Sequence, residues 1–446
     1  MIENQYTDIF NRYRKTIDAK SAAGLNSLRD KAFEAFRKQG FPTGKLEDYL
    51  YLDVAAEFMP DFGLNLNRAP FLGNPYMAFG CELPNMTANL YFVLNDLFHE
   101  EHQPHVEYPK GVFVGSLKRF AEQQPGICSK YYGQIADVYN NGIIAFNTMF
   151  AQDGFVIYVP ENVVIEQPVQ LINILKSEFI SLVNRRILII AEDNAQVKLL
   201  VCDHTVDESR FLATQVTEIY AGRNAIVDCY DLEENSDRVT RLANTFVLQK
   251  GSSNVLVNNM TLNTGVSRNN YNVKLNGEHA EACVCGMVIA DRRQYVDNFA
   301  FLDHAGPHCT STQLFKYVLQ DEAKGAFCGR ILVEKDAQKT TAYQSNRNLC
   351  MSPDAKMYAK PQLEIYADDV KCSHGLTTGR LDEEALFYLR SRGIGRDVAR
   401  LMLMQAFTAG VLAHVRIPLL RERLQDLAGK RFRGESARCG NCLVCK

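Results

Sequence analysis

From about residue 111 to residue 379 the chain alternates short runs of valine, isoleucine and leucine with polar turns, and no 3.6-residue period is sustained. The clearest runs are 163–165, 169–175, 186–190 and 197–201. They predict β structure over most of this span. The turns between runs resemble one another: E-D-N-A at 192–195, G-R-N-A at 222–225, G-E-H-A at 277–280, E-K-D-A at 334–337 and S-P-D-A at 352–355. Repeated copies of one turn-plus-strand unit suit a β-solenoid, in which each coil stacks its apolar side chains on the next. A sandwich is the alternative, because turn chemistry draws on few residue types and polar turns look alike for that reason alone.

Helical periodicity brackets this region. Residues 22–38 carry Leu25, Leu28, Ala32, Phe33 and Phe36 at helical spacing, and Gly40 stops the run. A proline- and aromatic-rich passage at 60–84 reads as irregular, and a boundary falls near residue 110. After Gly379, Asp382 is placed to cap a helix with Glu383 and Glu384 in its first turn and Leu381 and Leu386 as a hydrophobic staple; Gly393 closes it. A second helix, 396–415, is apolar on more than one face, with Val398, Leu401, Met402 and Leu412 on one and Leu403, Met404, Phe407 and Val411 on others. Such a helix must be buried on several sides. Pro418 opens a third. The pattern divides the chain into helical residues 1–110, a β core at 111–379 and a helical domain at 380–446.

Composition narrows the function more than the fold. The 446 residues hold 49 Lys plus Arg against 52 Asp plus Glu, a net charge of −3, so no general electrostatic case exists for nucleic acid or an anionic membrane. No apolar run reaches the roughly 20 residues of a spanning helix, and the first residues lack a signal peptide's basic start. A soluble cytoplasmic protein is expected. Thirteen scattered cysteines, an odd number, argue for reduced thiols rather than a disulfide framework.

The common catalytic and nucleotide motifs are missing, including the phosphate-binding loop, the dinucleotide fingerprint, the nucleophile elbow and the H-E-x-x-H helix. Weaker clusters remain. His99, His102 and His105 share a segment that Pro104 breaks, and His304 and His308 flank Gly306-Pro307, which favours turn residues. Cys439, Cys442 and Cys445 have C-x2-C-x2-C spacing suited to soft-metal or Fe–S ligation, but a closed site needs a fourth ligand. Finally, Cys372 and His374 in K-C-S-H-G fall on one face of a strand. Facing outward, they could ligate iron or another soft metal with help from elsewhere; facing inward, both suit a buried, hydrogen-bonded setting.

Several stretches together are similar to the SufB/SufD family of iron–sulfur cluster assembly scaffolds. They are K-L-E-D-Y at 45–49, Gly329-Arg330, A-Q-K-T at 337–340, Q-S-N-R-N-L at 344–349, L-E-I-Y-A-D-D-V-K-C-S-H-G at 363–375 and L-F-Y-L-R-S-R-G-I at 386–394. The match is most specific between about 300 and 415, and the H-G after the cysteine resembles the SufD branch. Departures include Tyr49 where tryptophan is usual, Leu376, Thr378 and the Cys350-Met351 pair. The resemblance implies a right-handed parallel β-helix flanked by helical domains, with no catalytic site of its own. It further implies pairing with a SufB-type chain and binding of a SufC-type ABC ATPase through the C-terminal helices, where Leu386, Tyr388, Arg392, Arg396, Leu401, Met404 and Phe407 are the expected contacts. His374 and Cys372 map onto the interface where iron or a nascent cluster is held transiently; no tightly bound cofactor is expected, and the isolated chain can pair with a second copy. Two rivals are a carbohydrate-active β-helix enzyme, weakened by carboxylates that fall mainly in turns and by the absence of tryptophan, and a stand-alone metal-binding protein using the tail cysteines.

Overall fold

In the computed structural model, which describes residues 2–68, 74–78, 89–103 and 106–435, successive strands alternate between two sheets. Among the described residues each sheet has ten strands, and nearly all pairings are parallel. One column of the stack runs Gln196, Ile226, Asn254, Glu281, Thr310, Thr341, Lys371, each in register with the next. This is a β-solenoid of about 30 residues per coil. No described helix is long and apolar enough to cross a membrane.

The turns explain the repeated tetrapeptides. At the corner leading from the first sheet into the second, Asn194, Asn224, Ser252, His279, His308 and Lys339 all adopt positive φ, between 55° and 63°. A small buried residue follows each: Ala195, Ala225, Ser253, Ala280, Cys309 and Thr340. The left-handed residue turns its N–H toward the next coil, as in Asn224 N to Gly251 O (3.0 Å) and Lys339 N to Asp369 O (2.7 Å), while the small residue leaves room for the stack. Three of the five tetrapeptides end in this pair; the one at 334–337 lies at the same corner just ahead of Lys339 and Thr340, and the one at 352–355 lies at the opposite corner.

Most strands are buried on both faces, which is why they read as continuous apolar runs. Inside, side chains such as Val197, Val227, Val255, Val284 and Phe315 form the core. A charged cluster crosses it, with Arg241 reaching Asp203 (2.8 Å) and Asp231 (2.5 Å) and Arg185 reaching Asp203 (3.1 Å). Outside, N-terminal helices Ile2–Ala19 and Arg29–Gln39 cover the first sheet at Leu182, Leu212 and Leu242. The K-L-E-D-Y segment docks there too. Tyr49 is buried under the Arg268 guanidinium, 4.6 Å from its ring centroid, and its hydroxyl accepts from Asn270 Nδ2 (2.9 Å), while Glu47 pairs with Lys360. Helices Arg396–Leu412 and Pro418–Phe432 cover the second sheet through Met404, Val411, Leu420 and Leu424.

The structure departs from the sequence pattern between residues 111 and 150, where helices Leu117–Gln123, Pro125–Tyr131 and Gly142–Phe150 stand in place of predicted strands. The last is buried on every side, so it carries no amphipathic period for the sequence to display. Asn141 starts it, its side chain accepting from the N–H groups of Ile143 and Ile144. A strand also lies early, Leu90–Leu94, paired in parallel with Val169–Leu175.

Candidate functional site

The solenoid ends on strand Lys371–Gly379, which pairs with Thr341–Cys350 on one side; no described strand pairs with its other side. Ala342, Gln344, Asn346 and Asn348 are buried and point into the solenoid. Their register partners are Cys372, His374, Leu376 and Thr378, whose side chains therefore point the same way. Cys372 packs against Ala342, Ile331 and Val333 and is half-buried; His374 and Leu376 are exposed, with no described coil lying over them. The choice between outward and inward thus resolves to an inward face left uncovered. On the facing sheet, Lys356–Ile365 is likewise terminal, and Tyr366 beside it is 65% exposed.

Polar groups gather under this end. Gln344 Nε2 donates to Gln313 Oε1 (2.7 Å), Asn348 Nδ2 donates to Thr378 Oγ1 (3.1 Å), and Gln344 Oε1 is buried without a hydrogen-bond partner. Gly329 makes room for the glutamines, since a Cβ there would lie 2.3 Å from Gln344 Nε2. Burial raises the Cys372 thiol above its usual range, with a backbone hydrogen bond from Ala342 opposing, so it waits as a neutral thiol. Among the described residues no three His, Cys, Asp or Glu side chains form a group able to hold a metal ion. Cys372 and His374 carry a thiol and an imidazole, donor types that suit soft metals.

The C-terminal helices form a second candidate surface. Helix Glu383–Ser391 is capped by Asp382, whose side chain accepts from the N–H groups of Glu384 and Ala385, and Gly393 follows with φ 85°. Of the seven residues expected to contact an ATPase, Leu386 and Met404 are buried within this chain, and Leu401 and Phe407 pack partly against its own sheet-facing core. Tyr388, Arg392 and Arg396 are exposed, with the Arg392 guanidinium 5.1 Å from the Tyr388 ring centroid. Phe387, 74% exposed, lies beside them, and Val398 and Met402 are exposed on the next helix. Phe387 went unmarked in the sequence because an apolar residue in a capped helix is ordinarily core.

The remaining clusters do not converge. His99 and His102 stack loosely at 6.4 Å between rings, and His105 lies outside the described residues. His308 is a turn residue as expected, but His304 ends strand Tyr295–His304 with its side chain buried. The tail cysteines 439, 442 and 445 lie outside the described residues.

Fold and site define a helix-flanked parallel β-solenoid whose terminal coil is open and carries a thiol and an imidazole. Residues 173–407 match the model of the SufBD core domain of SUF-system FeS cluster assembly, and residues 1–171 match the SufBD N-terminal region. The chain is 30% identical to an iron–sulfur cluster assembly SufBD family protein of Synechocystis, over 77% of this chain and 78% of that one. It is 39% identical to the iron–sulfur cluster assembly protein SufD of Escherichia coli over 39% and 41% of the two chains. It is 29% identical to the chloroplastic protein ABCI7 of Arabidopsis thaliana over 88% and 83%. The chain belongs to the SufBD family, and its general role is that of a scaffold subunit in iron–sulfur cluster assembly.

Proposed function

We propose that this chain is a SufD-type subunit that docks its open solenoid end on a SufB-type chain and presents Cys372 and His374 to iron or a nascent cluster at that junction. One observation carries the reading: the thiol and the imidazole sit on the uncovered inner face of the last strand, with no third His, Cys, Asp or Glu grouped with them among the described residues. Iron here is cargo rather than a resident cofactor. Its capture by Cys372 displaces the thiol proton, so loading is favoured by rising pH. The exposed patch around Phe387, Tyr388, Arg392, Val398 and Met402 is the proposed seat of a SufC-type ABC ATPase. Met404, with Leu401 and Phe407 partly buried beside it, instead fastens helix Arg396–Leu412 to the sheet, so movement imposed on that patch passes into the solenoid.

The test is reconstitution of this chain with SufB-type and SufC-type subunits. His374→Ala and Cys372→Ala are expected to assemble at wild-type stoichiometry but to accumulate severalfold less cluster, read as acid-labile sulfide and visible absorbance. Wild-type cluster yield from His374→Ala would remove it as a ligand; failure of the wild-type chain to associate with either subunit would overturn the whole reading.

A further inference from the structure

Away from the open end, strand Glu281–Ala290 carries C-V-C at 283–285. Ala282, Val284 and Val288 belong to the inner core, so Cys283 and Cys285 point outward, under the C-terminal helices. Cys285 is fully buried there and Cys283 half-buried. Helix Arg396–Leu412 ends just before His414, whose Nδ1 lies 3.6 Å from Cys283 Sγ. The same segment delivers Arg416, held by Asp228 Oδ1 (2.7 Å) and Asn254 Oδ1 (2.8 Å). The register neighbours of Cys283, Leu256 and Thr312, are uncharged.

The arrangement favours charge separation between Cys283 and His414, against burial of both groups and against the repulsion of the imidazolium by Arg416. The end of a helix is the negative pole of its dipole and stabilises a cationic imidazole. A hydrogen bond from Cys285, with His414 and Arg416 adding to it, pulls the Cys283 thiol down to about 5 against the opposing effect of burial. His414 is raised, first by its hydrogen bond to Cys283. The other half-buried described cysteines differ: burial pushes Cys328 up to about 11 and raises Cys350 and Cys372.

We propose that Cys283 is a resident thiolate paired with the His414 imidazolium, and a modification site for peroxides and other soft electrophiles. With a peroxide, the thiolate sulfur attacks one oxygen and the O–O bond breaks. The departing hydroxide takes the His414 proton to leave as water, and Cys283 becomes a neutral sulfenic acid. Sulfur loses two electrons and peroxide gains them. The product no longer carries the charge that faced His414 and Arg416, so oxidation weakens the seam between sheet and helices. The inference is independent of the proposed interface.

Peptide-mapped alkylation of the full chain by limiting iodoacetamide tests it. A low-pKa thiolate is intrinsically less nucleophilic, with a Brønsted slope of about 0.4–0.5, so the advantage vanishes near pH 7 and above and emerges in mild acid. At pH 6 Cys283 is expected to react about tenfold faster than an ordinary, almost wholly protonated thiol, and by at least that margin over Cys328, Cys350 and Cys372, which burial raises further. Between pH 6 and 8 its rate should stay nearly flat while theirs climb about tenfold per unit. His414→Asn should restore the climb at Cys283. Peroxide followed by dimedone should place an adduct on the Cys283 peptide, lost in Cys283→Ser. A Cys283 rate in the wild-type chain that climbs with pH like the others overturns the proposal whether or not the variants fold; so does an unchanged flat profile in folded His414→Asn.

Discussion

His304 shows how a single buried side chain sets a pH dependence. Its Nε2 meets Ser311 Oγ at 2.8 Å, and burial drives it down to about 4, with Asp303 opposing. Unfolded, the same imidazole takes its proton near pH 6.5. Above that pH neither state is protonated and the stabilising contribution is complete. As pH falls from 6.5 toward 4 the unfolded chain binds a proton that the folded chain refuses, and stability drains away by up to about 1.4 kcal/mol per pH unit. His204, also pushed to about 4 by burial, acts with the same sign. Urea unfolding between pH 7 and 4.5 should therefore give His304→Gln a shallower loss than wild type, and equal slopes would show that His304 is protonated in the fold. None of this was legible in H-A-G-P-H-C, where spacing marks both histidines as turn residues. Strand Tyr295–His304 continues up to two positions before Gly306-Pro307, and it is the strand that carries His304 inside.

At the level of elements, the corners hold the coils together and tolerate little bulk. Gly251, Gly277 and Gly306 follow one another up one corner; a Cβ on Gly277 would fall 2.2 Å from Gly251 N, and one on Gly306 would fall 2.6 Å from Gly277 O. Both obstacles are backbone and cannot swing aside. Gly277→Ala should cost on the order of 1–3 kcal/mol, visible as a lowered midpoint in denaturant with unchanged slope. A midpoint equal to wild type would mean that the coils separate freely at this corner. The same corners made the solenoid readable, because the left-handed residue and the small residue after it recur in the sequence as N-A and H-A. The C-terminal helices were readable through Asp382, Gly393 and Pro418, whose local chemistry fixes their roles. Helix Gly142–Phe150 was not, since a helix buried all round and a strand buried on both faces present the same apolar run. Nor could spacing orient Cys372 and His374. Their direction depends on which residues of the preceding strand are buried, and their exposure on the absence of another coil.

For the whole molecule the informative feature is that its two ends differ. One end is closed by antiparallel pairings, Phe113–Ser116 with Phe155–Val159 and Leu90–Leu94 with Leu97–Phe98, and Tyr91, Phe98 and Phe155 fill the space between them. The other is open on both sheets. An unprotected strand edge is a template for pairing, and proteins blunt it where pairing is unwanted. On Lys356–Ile365 the edge is blunted, by Pro361, which lacks an N–H, and by Lys356 and Lys360. Lys371–Gly379 has neither proline nor a second lysine, so a continuous row of backbone donors and acceptors lies beside Cys372 and His374. Leu376 is the apolar side chain that an incoming coil would cover, being exposed yet in register with buried Asn346. A charge there would be trapped between coils in an assembly but free in water in the isolated chain. Leu376→Lys should therefore leave the melting temperature and circular dichroism unchanged while abolishing association with a SufB-type chain, or with a second copy, in light scattering. Because His374→Ala is expected to assemble and lose cluster, the two substitutions separate docking from iron holding. Undiminished association by Leu376→Lys would move the junction away from the open end and leave Cys372 and His374 without the second subunit that the proposed site needs.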